Sequence, residues 1–241
     1  MIKKRLGVNI DHVGTLRNVR DELYPDPLRA ALVSQNSGAD SITIHLREDR
    51  RHIRDYDLRN IKKKIKIPLN LEIAPTNEMT KIAIKNKPKF VCLVPEKRKE
   101  ITTEGGLNVN KYKKKIKRIV LKLKNNGIRV SLFIEPKIQD IKISKELGAK
   151  CVELHTGSFC NIFNKKRDFN KSYRKLKNSA NYAKKIGLEV HAGHGLTFES
   201  AKIVSKIDQI VEFNIGHSII AESLFNGLKY TIKKFKKIIN R

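Results

Sequence analysis

Residues 27–45 read PLRAALVSQNSGADSITIH, and this stretch decides the architecture. Pro27–Ser37 carries apolar residues at helical spacing behind a proline suited to a first helical turn. Ser37-Gly38-Ala39-Asp40 then supplies a glycine stop. Ser41–His45 follows as a short β-branched run that ends in a histidine. The same order recurs along the chain. Apolar runs fall at Leu6–Ile10, Ser41–His45, Leu69–Ile73, Phe90–Val94, Ile128–Ile134, Cys151–Leu154, Leu188–His191 and Ile210–Phe213. Between them lie helical patterns at Pro27–Ser37, Glu78–Asn86, Lys111–Asn125, Lys142–Leu147, Arg174–Ile186, Ser200–Ile207 and Ile219–Ile239. Further glycine stops stand at Asn126-Gly127, Leu147-Gly148-Ala149 and Ile186-Gly187. Short strands in strict alternation with helices predict a parallel sheet with helical crossovers. The chain has 241 residues, close to the roughly 250 of a closed eight-fold barrel. The expectation is one α/β domain over residues 1–241, a (β/α)8 TIM barrel with additional short helices.

Composition narrows the function classes. Lys and Arg number 52 against 24 Asp and Glu, a formal charge of +28. The lysines are spread over the whole chain, so the charge is read as solvated helix faces rather than a dedicated polyanion surface. Neither nucleic acid nor membrane is expected as a partner. Apolar runs from end to end exclude general disorder, and none approaches the roughly 20 residues that span a bilayer. The basic start, Met1 to Arg5, is followed by Asp11 and His12 before a signal-peptide core could form. Cys92, Cys151 and Cys160 are odd in number and show no CxxC pairing, which suits a reducing cytoplasm. The apolar series Leu228, Ile232, Phe235 and Ile239 fits an outer helix of the barrel.

In such a barrel, chemistry is built at the C-terminal ends of the strands. All seven histidines fall at or after expected strand ends: His12, His45, His52, His155, His191, His194 and His217. The first exit reads Val8-Asn9-Ile10-Asp11-His12, with Asn9 and Asp11 expected on one strand face, followed by Arg17 and Arg20. An arginine there can take a phosphate bidentately or pair with an aspartate. His45 is expected to point into the mouth, with Arg47 and His52 beside it, while Arg50 and Arg51 read as surface ion pairs. Glu72 ends the third strand, where desolvation raises a carboxyl toward the range of acid–base work. Residues 96–107, with Gly105-Gly106, form a charged loop able to act as a lid. Glu153 and His155 share a face of the sixth strand. His191-Ala192-Gly193-His194-Gly195 and Asn214-Ile215-Gly216-His217 offer glycine loops whose N–H groups can cradle a phosphate. A metal held by His191, His194 and Glu153 or His155 stays open as the weaker reading, because a glycine-rich loop holds a ligand loosely.

The segments GVNIDHVGTLRN, Thr43-Ile44-His45-Leu46-Arg47-Glu48-Asp49-Arg50-Arg51-His52-Ile53, Asn70-Leu71-Glu72, LVPEKR with TTEGGL, Glu153-Leu154-His155-Thr156-Gly157, AGHGL and Asn214-Ile215-Gly216-His217 closely resemble the pyridoxine 5′-phosphate synthase family. The resemblance runs over essentially the whole chain. It implies a homo-octamer of TIM barrels that uses no metal or organic cofactor. The implied reaction condenses 3-amino-2-oxopropyl phosphate with 1-deoxy-D-xylulose 5-phosphate to pyridoxine 5′-phosphate, inorganic phosphate and water. By matching position it implies His45 and Glu72 as general bases, His194 as general acid and Glu153 as transition-state stabiliser. It implies Asn9, Arg20, Gly195, Gly216 and His217 as contacts of the amino-oxopropyl phosphate. Asp11, His12, Arg47, His52 and Thr102 become contacts of the deoxyxylulose phosphate. His191 stands where the family pattern has Asn, and is expected to lie near His194 and perturb it.

Overall fold

The computed structural model describes residues 3–96 and 105–240. Its strands are β1 (Arg5–Asn9), β2 (Ser41–His45), β3 (Leu69–Ile73), β4 (Phe90–Leu93), β5 (Arg129–Ile134), β6 (Cys151–His155), β7 (Glu189–Gly193) and β8 (Ile210–Ile215). They are parallel and close in sequence order, with β8 pairing back onto β1. The helices are α1 (Asp11–Val19), α2 (Pro27–Asn36), α3 (Asp55–Lys64), α4 (Asn77–Asn86), α5 (Lys113–Asn125), α6 (Ile138–Glu146), α7 (Gly157–Asn164), α8 (Asn170–Lys185), α9 (Phe198–Val204), α10 (His217–Asn226) and α11 (Leu228–Ile239). Among the described residues no helix is long and apolar enough to cross a membrane.

Three helices lie where the sequence pattern predicts none: α1, α3 and α7. Each buries only two or three side chains, too few to show a clear helical period. The single C-terminal helix expected over Ile219–Ile239 is two helices. Gly227, at φ 76, ends α10 and redirects the chain into α11.

Strand alternation sends the two sets of side chains to different places. Leu6, Val8, Ile42, Ile44, Leu71, Val91, Leu132, Val152, Leu154, Val190 and Phe213 face outward and form the main core with the helices. The inward set is polar in most places, unlike the branched aliphatic filling usual in such barrels. Cys92, Val94 and Phe133 make a small apolar island apart from the main core. Elsewhere the interior is filled by hydrogen-bonded and charged groups, in tiers.

The lowest tier is ionic. Arg5 pairs with Glu189 and, at 2.6 Å, with Glu212. Arg129 Nη2 lies 2.7 Å from Glu189. His191 sits in this tier and not at the mouth. β7 runs on to Gly193, two residues beyond the apolar run seen in the sequence, so the His191 ring is enclosed by the barrel wall. Above it a hydrogen-bond chain crosses the interior. Asn70 Nδ2 donates to Thr43 Oγ1 at 3.4 Å, Thr43 Oγ1 to Asn214 Oδ1 at 3.2 Å, and Asn214 Nδ2 to Glu153 Oε2 at 2.7 Å. Four strands are thereby joined through polar groups that burial alone would penalise.

Candidate active site

The mouth holds a cavity of about 600 Å³. Asn9, Asp11, His12, His45, Arg47, His52, Glu72, Glu153, His194, Gly195, Gly216 and His217 line it. Thus most of the candidate residues converge on one space. Two do not. Arg20 lies past the end of α1 with its side chain 79% exposed and paired to Glu22 at 3.2 Å. Thr102 and most of the 96–107 loop fall outside the described residues.

Asp11 opens α1 rather than continuing β1, which corrects the shared strand face expected with Asn9. The two still meet, because Asn9 Nδ2 donates to Asp11 Oδ2 at 2.8 Å. The His45 backbone N–H donates to Asp11 Oδ1 at 2.8 Å, locking the first and second strand exits together. Arg17 is fully buried and takes no part in the cavity. It grips Asp57 with two hydrogen bonds, at 2.7 and 2.9 Å. Together with Asn18, which donates to the His52 carbonyl at 2.9 Å, this pair fixes the segment that carries His52. Arg50 and Arg51 make surface ion pairs with Asp55 and Asp49.

The imidazoles form two groups across the mouth. On the β1/β8 side the His12 ring lies 5.2 Å from His217 and 6.0 Å from His52. On the β6/β7 side His155 and His194 are 5.0 Å apart. Burial drives the His52 and His194 pKa values down to about 4, and neighbouring imidazoles push the same way. For His194 those neighbours are His155 and His217, not His191, so the expected perturbation by His191 is absent. His194 itself takes φ 78, a strained conformation for a non-glycine residue, and its carbonyl accepts from Thr156 Oγ1 at 2.6 Å.

The carboxyl groups are desolvated. Burial, reinforced by Glu153 and Asp11, raises Glu72 well above the ordinary carboxylate range. Burial likewise lifts Glu153 to about 7, with Glu212 adding to it and His191 and Asn214 opposing. Glu72, Asp11 and His45 place one ligand atom each within 4.8 Å of one another. That spacing suits proton exchange through one bridging water and would also accept a divalent ion. The His191–His194–Glu153/His155 set weighed from the sequence does not assemble, since His191 lies in the tier below.

Three residues of this site hold partners that the sequence did not indicate. Glu96 Oε2 lies 3.5 Å from His45 Nε2, and both atoms are buried without a hydrogen bond among the described residues. Glu135 holds His155 Nδ1 at 2.8 Å and accepts the Gly106 N–H at 2.9 Å. Asn214 holds Glu153 as described above. For Asn214 a signal existed in its alternation with Phe213 and Ile215; for Glu96 and Glu135, just beyond strand ends, position alone offered one.

The anion-binding capacity is at the loops after β7 and β8. α10 starts at His217 behind Gly216, and no side chain caps its N-terminus, so its first N–H groups are free to meet an anion. Gly195 and Ser218 lie beside it on the cavity wall. Arg47 and His52, the latter next to His12, face the same cavity.

The family model for pyridoxal phosphate biosynthesis protein PdxJ matches residues 6–241. The chain belongs to this family. It is 56% identical over 238 residues to the pyridoxine 5′-phosphate synthase of Pelagibacter ubique (strain HTCC1062), covering 99% of this chain and 100% of that one. It is 51% identical to the enzyme of the same name from Sulfurihydrogenibium sp. (strain YO3AOP1), covering 98% and 97%. Among solved structures, the fold is similar to phosphoribosylanthranilate isomerase from Thermotoga maritima (TM-score 0.62, 14% identity, 99% and 98% covered). A tryptophan synthase structure from M. tuberculosis is also similar (TM-score 0.65, 10% identity, 100% and 94% covered). These distant structures share the barrel alone.

Proposed function

We propose that this chain is a pyridoxine 5′-phosphate synthase, joining 3-amino-2-oxopropyl phosphate and 1-deoxy-D-xylulose 5-phosphate. The observation that carries the reading is the convergence of Glu72, His45, His194 and Glu153 on one cavity that is also lined by Arg47, His52, Gly195, Gly216 and His217. The family membership and the names of its relatives agree with it.

The reaction is a series of proton transfers. An amine adds to a ketone, water leaves, a C–H proton is removed, phosphate departs, and ring closure with loss of water makes the pyridine. Each step needs a group that gives or takes a proton near neutrality. Glu72, once ionised, and His45 act as the bases, near enough to Asp11 for one bridging water to relay protons. His194, on the opposite wall, acts as the acid. In the free protein it is neutral, with its pKa near 4. A phosphate dianion seated at Gly195, Gly216 and His217 would raise that pKa and arm the acid only when substrate is bound. Glu153, with a pKa near 7, lies below the reacting atoms and stabilises positive charge on the imine nitrogen. Asn9 sits with the amino-oxopropyl phosphate, and Asp11, His12, Arg47 and His52 with the deoxyxylulose phosphate. The direct test is formation of pyridoxine 5′-phosphate from the two phosphates by the purified chain; no product would remove the reading.

Self-association into an octamer belongs to the same proposal. Leu16, Val19, Leu23 and Tyr24 are exposed around the end of α1, and Leu224 and Phe225 on α10, which packs against it. So much bare apolar surface suits a face covered by a second copy. Sedimentation velocity measures the state, and a monomer would refute it. The three buried free thiols fit a cytoplasmic setting.

A further inference from the structure

His191 has no part in the chemistry above, yet it is enclosed in the barrel interior. Its position is fixed by register. Glu153 on β6 pairs with His191 on β7, and His191 pairs with Glu212 on β8. Neighbouring strands lie roughly 4.8 Å apart, so the three inward side chains are immediate neighbours. Both nitrogens of His191 face carboxylates. Nε2 lies 2.8 Å from Glu189 Oε1, and Nδ1 lies 3.4 Å from Glu212 Oε1. Arg5 Nη2 and Arg129 Nη2 also approach Nε2, at 3.4 and 3.5 Å, but the Glu189 carboxylate is nearer. Each ring nitrogen thus has an acceptor as its closest partner, and the ring is placed to carry both protons.

We propose that His191 is a positioning residue for Glu153, a buried imidazolium clamped between Glu189 and Glu212 whose charge lets the Glu153 carboxylate form inside the barrel. The groups facing the ring account for its charge. Arg5 on β1 and Arg129 on β5 share Glu189 with it, Cys151 and Glu153 face it from β6, Glu189 lies on its own strand, and Glu212 on β8. Burial opposes protonation of the ring, but Cys151, Glu212 and Glu189 outweigh it and hold His191 well above the ordinary histidine range. Burial and Glu212 oppose ionisation of Glu153, and His191 works against both. The same arms make a metal at Cys151, Glu189 and His191 the weaker reading. Those three atoms lie within 4.8 Å of one another, but Arg5 and Arg129 hold their guanidinium groups against Glu189 there.

The role of Glu153 in catalysis rests on the synthase reading; its ionisation does not. The experiment is therefore an infrared titration of the carboxyl band of the full chain, with the Glu153 band identified by its loss in Glu153→Gln. In His191→Asn and His191→Gln the Glu153 midpoint should move up by about one pH unit, and His191→Lys should return it toward the wild-type value. The Glu153-dependent limb of the kcat profile should move with it. An unchanged midpoint in a folded neutral variant overturns the proposal. Should the neutral variants fail to fold, nitrogen-15 spectra of the wild-type imidazoles decide. At about pH 8, where ordinary histidines are neutral, one of the seven must keep imidazolium shifts; if none does, the proposal falls. A chain that makes no pyridoxine 5′-phosphate yet shows the midpoint shift would refute the synthase reading and leave the His191 assignment standing.

Discussion

The Glu153 carboxylate of β6 and the Asn214 amide of β8 meet at 2.7 Å across the strand that separates them. They can do so because that strand, β7, offers Gly193 between them. A Cβ there would stand 2.1 Å from Glu153 Oε1. The atom it meets is the free end of a side chain, so the carboxylate would yield before the backbone did. Gly193→Ala should therefore fold, losing about 1 kcal/mol of stability, while turnover falls on the order of a hundred-fold because the carboxylate is displaced. Thermal melts and steady-state rates separate the two effects. A variant with wild-type turnover would show that the position of Glu153 does not matter.

Glu72→Gln tests the base. Glu72 is strongly biased toward its protonated form, so an amide of the same shape disturbs folding little. Loss of a proton-transfer group should lower kcat by about a thousand-fold. A rate within a few-fold of wild type would take Glu72 out of the mechanism.

The pH dependence of stability has a definite sign at Glu153. Its pKa is about 7 when folded against an ordinary 4.5. The folded chain holds the extra proton in that window. The stabilisation is thus fully present below 4.5 and is lost as pH rises through 7. Glu153→Gln should melt with a flatter dependence over that range than the wild type. Parallel curves would mean that Glu153 titrates as it does in the unfolded chain.

Anion binding should take up protons. His194 and His52 are neutral near pH 6 because their pKa values lie near 4. A dianion beside either raises that value. Calorimetry with sulfate, an oxyanion that is already a dianion at about pH 6 and so carries no proton of its own, in buffers of different ionisation enthalpy, should show net proton uptake. His194→Asn should reduce it. Binding with no buffer dependence would separate the anion from the imidazoles.

The fully buried Arg17–Asp57 pair is a structural anchor for the His52 segment, with side chains only 1% and 2% exposed. Asp57→Asn leaves a buried guanidinium without its counter-charge, at a cost of about 3–5 kcal/mol. Chemical denaturation measures it. A loss below 1 kcal/mol would show that the guanidinium finds another partner.

The sequence made the strands easier to read than the helices. Every strand has β-branched residues on its outward face, and their apolar character set the alternation apart. α1 was hidden because Gly14 lowers its helical propensity. The structure shows why glycine is there: a Cβ would meet the His52 carbonyl at 2.5 Å. Much of the site was legible because its polar residues stand at strand ends, where the barrel puts its chemistry. His191 misled because the sequence does not show how far β7 continues past its apolar run. Glu96 and Glu135 escaped notice because nothing in their own segments says which histidine they will hold. That depends on closure of the whole barrel.

The polar lining of the barrel divides the selective burden. Outward strand residues answer to the helices they touch, and inward residues answer mainly to one another. A library randomised at inward positions outside the hydrogen-bond chain, such as Cys92 and Ser131, should retain a larger folded fraction than the same diversity at Ile44, Leu71 or Val152. A scaffold partitioned in this way can trade one reaction for another while its outer shell stays in register.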